Sequence, residues 1–164
     1  MQPHDPTGGV GAYVMVFALV VFYLWYRERF AGRMSKRRLR ALEIAQVDLM
    51  SGPEFETYVA RLLDDRGFAV TTTPHTGDLG VDLVAWKHGD RIAVQCKRHS
   101  GTVSRSAVSD AVAGMQHYGC NSAMVVTNSW FTPGARTLAK STGCALVDRE
   151  DLAKWILEFQ GKDA

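Results

Sequence analysis

Gly80-Val81-Asp82-Leu83-Val84-Ala85-Trp86, then Lys87-His88-Gly89-Asp90, then Arg91-Ile92-Ala93-Val94-Gln95-Cys96-Lys97 read as a strand, a four-residue reversal and a second strand. The flanks are rich in β-branched and aromatic residues, and Gly89-Asp90 supplies turn chemistry, so the segment is expected to be an antiparallel hairpin. If Trp86 pairs with Arg91, Asp82 falls directly opposite Gln95, and opposed residues project from one face of the sheet. Lys97 lies two positions further and shares that face, while Cys96 points to the other. A carboxylate, an amide and an ammonium are thereby brought to one place.

The elements on either side extend this hairpin into an α/β fold. Before it, Ser51 can cap a helix that has Pro53 in its first turn and Glu54 and Glu56 at its positive end. Phe55, Val59, Leu62 and Leu63 form the apolar stripe of that helix, and Gly67 ends it. Residues 68–73 read as a first strand, followed by the turn-rich Pro74-His75-Thr76-Gly77-Asp78-Leu79-Gly80. After the hairpin come a helix over 104–118, a strand at Ala123-Met124-Val125-Val126-Thr127 apolar enough to be buried on both faces, and a helix beginning at Thr132-Pro133. A short strand at 144–147 and a helix from Asp148 to Gln160 complete the chain. The order is helix, three-strand meander, helix, strand, helix, strand, helix, which predicts one mixed sheet covered on both sides.

A different composition governs the first fifty residues. Residues 10–26, VGAYVMVFALVVFYLWY, carry no charge and approach the length needed to span a hydrocarbon core of about 30 Å. Seven basic residues follow between Arg27 and Arg40 against the single acid Glu28, and none precedes the run. The positive-inside rule then sets the N-terminus outside and the remainder in the cytoplasm. A cleaved leader would want basic residues before the apolar core and small residues after it; Asp5 and the flank YLWYRER match neither. The expected organisation is a short external segment over 1–9, a single-pass inner-membrane anchor over 10–26 in contact with lipid, a basic connector over 27–50 and a folded domain over 51–164.

Charge and cysteines narrow the classes further. The whole chain has nineteen Lys and Arg against seventeen Asp and Glu, but residues 41–164 hold only twelve of the former and fifteen of the latter, a formal −3. Global charge thus gives no nucleic-acid footprint, and the basic cluster is explained by topology and anionic headgroups. Cys96, Cys120 and Cys144 are odd in number and lack zinc-site spacing, as expected for thiols in a reducing compartment.

The face shared by Asp82 and Gln95 also carries Val84, Ala93 and Trp86, so its charged groups are expected at a half-buried position, where unpaired charge is costly. Glu56 on the preceding helix offers a second acidic group. Carboxylate, amide oxygen and lysine converging on one point are what metal-assisted phosphodiester hydrolysis requires. From about Met50 to Leu157 the chain resembles the Mrr-type branch of the PD-(D/E)xK nucleases, restriction endonucleases of the kind that act on modified DNA. The pieces that carry the resemblance are SGPEFETYVARLL, HTGDLGVDLVA, IAVQCKRH, VSRSAVSDAVAGMQHYG, AMVVTNSWFTPGARTLAK and CALVDREDLAKW. It implies an α-β-β-β-α-β core, divalent-metal-dependent cleavage of DNA backbones and a site at the mouth of the sheet.

Position by position, the resemblance makes Asp82 the motif aspartate, Gln95 and Lys97 the Gln-x-Lys pair, and Glu56 the acid of the first helix. Asp82, the Gln95 amide oxygen and the Cys96 backbone carbonyl would hold Mg²⁺, with Mn²⁺ as a substitute. Glu56 would act through water or on a second ion, and Lys97 would stabilise the anionic transition state or position the attacking water. The superfamily more often has an acid where this chain has Gln95, although the Mrr-type branch also uses glutamine; the neutral donor lowers the site's charge and weakens its hold on a cation. Arg98, His99 and Arg105 follow the active strand and are candidates for phosphate contact, while Asp78 supports the loop that presents Asp82. Double-strand cleavage would need two sites, which points to a homodimer. The expectation is a membrane-anchored endonuclease for restriction or DNA defence. The alternative is a nucleic-acid-binding or sensing module that keeps the fold but cleaves poorly.

Overall fold

The computed structural model describes residues 18–25, 44–74 and 79–160. The chain divides into two compact units, 1–39 and 40–164. In the first, residues 18–25 are helical and every one of their side chains is exposed. Among the described residues no helix is long and apolar enough to cross a membrane; the rest of the 10–26 run, the 1–9 segment and most of the basic connector lie outside the described residues, as does Asp78.

The second unit is a five-stranded mixed sheet in the order β1-β2-β3-β4-β5. Its strands are β1 (Ala69–Thr72), β2 (Leu83–Lys87), β3 (Asp90–Lys97), β4 (Ser122–Thr127) and β5 (Ala145–Val147). Among the described residues four longer helices accompany them: α1 (Gly52–Asp65), α2 (Arg105–His117), α3 (Pro133–Thr142) and α4 (Arg149–Gln160). β1, β2 and β3 form an antiparallel meander, and β4 and β5 add in parallel through the α2 and α3 crossovers. This is the expected α/β architecture, with strand and helix ends within a few residues of those read from the sequence.

The hairpin register is the expected one, with Trp86 opposite Arg91. Its reversal is tighter than expected. Lys87 pairs with Asp90, so only His88 and Gly89 form the turn, and both have positive φ, 52° and 95°. That is the mirror-image geometry that matches the right-handed twist of the strands on either side. β2 also starts later than expected, at Leu83.

Local chemistry explains the helix ends. Ser51 N–H and Oγ both meet Glu54 Oε2 at 2.7 Å, closing a capping box on α1. Thr132 Oγ1 accepts from Ala135 N–H at 3.2 Å to open α3, and Gly143, at φ 72°, ends it in the left-handed conformation.

Alternation along the strands feeds buried clusters on both faces of the sheet. Leu83, Ala85, Val94, Cys96 and Val126 pack with Phe55, Val59, Leu62 and Leu63 of α1 and Leu152 and Ile156 of α4. On the opposite side, Ala123 and Val125 pack with Val108 and Ala111 of α2 and Ala135 and Ala139 of α3. β4 is therefore covered on both faces, as its apolar run predicts. Each fully buried Leu or Phe contributes roughly 1.5–3 kcal/mol relative to exposure. Residues 44–47 also join the first core through Ile44 and Val47, 5% and 1% exposed. The packed unit thus reaches back before Ser51, into residues expected to form the connector.

The approach to Asp82 is set by two glycines. Leu79 and Gly80 have φ of 50° and 76°. A Cβ on Gly80 would lie 2.4 Å from Asp110 Cβ, and one on Gly114 of α2 would lie 2.4 Å from Val81 Cγ2. The segment 79–81 is thereby pressed onto α2 at a distance that only glycine permits. Gly80→Ala combines a left-handed backbone with backbone-proximal overlap and is expected to cost about 2 kcal/mol or more in urea unfolding. A loss below about 0.5 kcal/mol, the range of an ordinary surface change, would contradict this account of the close approach.

Candidate active site

Asp82 sits just outside β2 and is half-buried. The ladder itself ends at Leu83 and Val94, and the Asp82 N–H bonds the Val94 carbonyl at 2.9 Å instead of continuing the register. The carboxylate takes over the pairing. Its Oδ2 accepts from Gln95 Nε2 at 2.8 Å and from the Cys96 N–H at 2.6 Å. Asp82 and Gln95 are therefore neighbours as expected, through side chains rather than through a regular backbone pair. The left-handed turn at Leu79 and Gly80 brings the chain in off the ladder.

Gln95 is 2% exposed, and its Oε1 is a buried oxygen with no hydrogen-bond partner. Such an orphaned acceptor costs on the order of 1–3 kcal/mol. The orientation of the amide follows from the carboxylate beside it: Nε2 donates to Oδ2, whereas Oε1 in the same place would face an oxygen that can only accept. A cation between the two would remove that conflict. Among the described residues no three His, Cys, Asp or Glu side chains are grouped to hold a metal. The side-chain oxygens are a carboxylate and a neutral amide, a sparse set suited to a divalent cation that keeps several waters and takes further ligands from phosphate.

The other expected members bear on the Cys96 thiol through their charge. Burial first, then the negative charges of Asp82 and Glu56, push the Cys96 thiol well above its ordinary range, and Lys97 pulls the other way. Asp82, Glu56 and Lys97 are thus all close enough to act on one buried sulfur. Cys96 itself packs into the core facing α1, while the Gln95 Oε1 lies against Gly80 on the α2 side, so the two point to opposite faces as expected. Burial also pushes the Cys144 thiol up to about 11. Neither thiol has the character of a nucleophile. Lys97 ends β3 half-buried beside Thr127, whose Oγ1 donates to the Lys97 carbonyl at 2.6 Å.

The expected phosphate contacts separate. Arg98 donates to the Asp48 carbonyl, and the His99 N–H donates to Asn128 Oδ1 at 2.7 Å. Arg105 begins α2, exposed, with its Cγ 3.6 Å from the place a Cβ would occupy on Gly134. The structure adds a network that sequence reading did not find. Arg149 binds both carboxylate oxygens of Asp48, at 2.7 and 2.8 Å, and the Asn128 carbonyl at 2.7 Å, and Asn128 Nδ2 donates to Asp48 Oδ1 at 2.7 Å. Asp48, Asn128 and Arg149 tie the chain before α1 to the exits of β3 and β4. The strand ending at Thr127 was legible, but nothing in the local pattern points from the residues after it to Asp48 or Arg149.

Arg149's hydrogen bonds hold the Asp48 carboxyl below its ordinary value, against burial and with help from Asn128. A carboxyl lowered on folding stabilises the fold above its unfolded pKa, near 3.8, and that stability is lost as pH falls through the folded value. Asp48→Asn is expected to lose about 1 kcal/mol at pH 7, kept small because the pair is partly solvated. The gap from wild type should close below about pH 4. Urea midpoints measured across that range check this, and a gap independent of pH would contradict it.

Comparison with known proteins follows the geometry. Residues 47–156 match the Mrr_cat model, described as restriction endonuclease. No curated protein matches the chain. Among solved structures, a protein of unknown function, AF1548, is 25% identical with a TM-score of 0.50, covering 57% of this chain and 55% of that one. The DNA modification-dependent restriction endonuclease AspBHI is 17% identical with a TM-score of 0.57, covering 74% of this chain and 34% of its own. MspJI, a restriction endonuclease in complex with a 27-mer oligonucleotide, is 18% identical with a TM-score of 0.43, covering 95% and 34%. The chain spans about half the length of the first of these and a third of the other two.

Proposed function

The chain belongs to the Mrr-type restriction endonuclease family, and from that premise we propose that it is a metal-dependent DNA endonuclease whose site is built from Glu56, Asp82, Gln95 and Lys97. The observation that carries the reading is the buried, unpartnered Gln95 Oε1 beside the Asp82 carboxylate. Asp82, Gln95 through Oε1 and the Cys96 carbonyl would hold Mg²⁺ or Mn²⁺, with Glu56 acting through water or on a second ion. A bound ion would supply acidity to a coordinated water and offset charge on the scissile phosphate.

The chain's own groups do the rest. Asp82 is oriented by the Cys96 N–H, so one of its oxygens is fixed before any ligand arrives. To reach such an ion, Gln95 would have to turn its Oε1 toward it, giving up the Nε2 hydrogen bond to the carboxylate in exchange for an ion–dipole contact. Lys97 places a positive charge where negative charge develops on the phosphate oxygens. With Asp82→Ala or Lys97→Ala, nicking of supercoiled plasmid in Mg²⁺ or Mn²⁺ should fall by about a hundredfold or more. Cutting that survives both substitutions would overturn the site. No cutting by the wild type, together with metal-independent DNA binding, would favour a sensing module on the same fold.

Residues 10–26 and the basic stretch after them support a single-pass inner-membrane anchor with the nuclease domain on the cytoplasmic side, in a role in restriction or DNA defence. A homodimer would supply the two sites that double-strand cleavage needs. The full chain should then stay with membranes through an alkaline carbonate wash. Replacing both Val20 and Val21 with Arg costs roughly 3 kcal/mol per residue at a helix centre and should release it. A wild-type chain already in the supernatant would contradict the anchor.

A further inference from the structure

A cavity of about 350 Å³ opens where β3 and β4 leave the sheet, apart from Asp82 and Gln95. Asp48, Arg98, His99, Asn128, Trp130 and Arg149 line it. Trp130 is its distinctive member. It is 49% exposed although it lies between Ser129 and Phe131, 4% and 5% exposed. Its backbone is fixed: its carbonyl accepts from the Val103 N–H at 2.8 Å, and Phe131 bridges Val103. The Arg149 guanidinium lies 5.5 Å from the centre of its ring, and Arg149 is itself held by Asp48 and Asn128. An indole ordered by its neighbours yet open to solvent loses little entropy when a flat partner stacks on it.

The cavity's position suits the strand being cut. Thr127 pairs with Lys97, and Trp130 follows three residues later, while Arg98 and His99 directly follow Lys97. Aromatic rings beside cations are how proteins hold unstacked bases and their backbone without regard to sequence. Intact duplex offers no free base face, so the ligand is a base already out of its stack.

We propose that this pocket holds an unstacked base of the DNA strand at the active site, its ring against Trp130 and its phosphate facing Arg98 and His99. The proposal rests on the nuclease reading, because it takes the strand presented to Lys97 as its ligand. It predicts a preference for single-stranded or locally opened DNA over closed duplex.

The test uses the full chain in EDTA, where binding proceeds without cutting, with labelled oligothymidylate and a duplex of equal length. Trp130→Ala should weaken single-strand binding between about fivefold and a hundredfold, while Trp130→Phe, which keeps a stacking face, retains most of it. Wild-type tryptophan fluorescence should be quenched on titration, and Trp130→Phe should abolish most of that quenching. Unfolding midpoints of both variants, measured alongside, separate lost stacking from lost folding. Unchanged single-strand affinity in Trp130→Ala, or equal quenching with and without Trp130, would overturn the proposal. If those results come while Asp82→Ala still abolishes plasmid nicking, the pocket reading falls alone; if the wild type neither nicks nor binds, both fall.

Discussion

One carboxylate oxygen, Asp82 Oδ2, accepts hydrogen bonds from the Gln95 amide and the Cys96 N–H, and the rest of the site is arranged around that pair of contacts. They replace the backbone pairing that β2 and β3 abandon beyond Leu83 and Val94. They also fix the orientation of Gln95, because an acceptor-only carboxylate selects the amide's NH₂ end. The consequence is the stranded Oε1, a polar atom that the fold buries without a partner. Stability alone gives no reason to keep such an atom, whereas the proposed role as a cation ligand would.

The geometry that delivers Asp82 to this position is steric. Gly80 and Gly114 let the 79–81 segment touch α2, and the left-handed turn at Leu79 and Gly80 redirects the chain toward β3. On the other face of the sheet, α1, which carries Glu56, packs against the buried Cys96, and the charges of Asp82 and Glu56 push its thiol up while Lys97 pulls it down. Mixed-sheet topology makes the meeting possible: the antiparallel hairpin sets Asp82 beside Gln95, and the parallel β3 and β4 end at the same edge with Lys97 and Thr127 paired.

Much of this was legible in the sequence because it is local. Alternation in Leu83–Lys87 and Arg91–Lys97 fixes faces, and the Trp86–Arg91 register follows from the short reversal, even though that reversal has two residues rather than four. Helical spacing in Phe55, Val59, Leu62 and Leu63 gave the buried stripe of α1. What was not legible is what distance in the chain conceals. Asp48 and Arg149 are 101 positions apart, and no periodicity connects an acid before α1 to a guanidinium at the start of α4. Ile44 and Val47, beside Asp48, join the core, and the Asp48 carbonyl holds Arg98 at the rim of the β3–β4 exit pocket, so residues that read as a connector acquire packed partners and Arg98 is positioned by one of them. The exposure of Trp130 between buried neighbours is likewise a property of the assembled strand ends. The formal −3 of residues 41–164 fits this distribution, since positive charge reaches the site through a few placed groups instead of a basic surface.

The central claim is that Asp82 and Gln95 together are an oxygen site for a divalent cation. Crystals of the full chain soaked in Mn²⁺ and measured for anomalous scattering test it most directly. The account predicts a peak about 2–2.3 Å from an Asp82 carboxylate oxygen and from Gln95 Oε1, with the amide turned over from its cation-free orientation. A well-occupied peak elsewhere, or none at saturating Mn²⁺ with Gln95 Nε2 still bonded to Asp82, would contradict it.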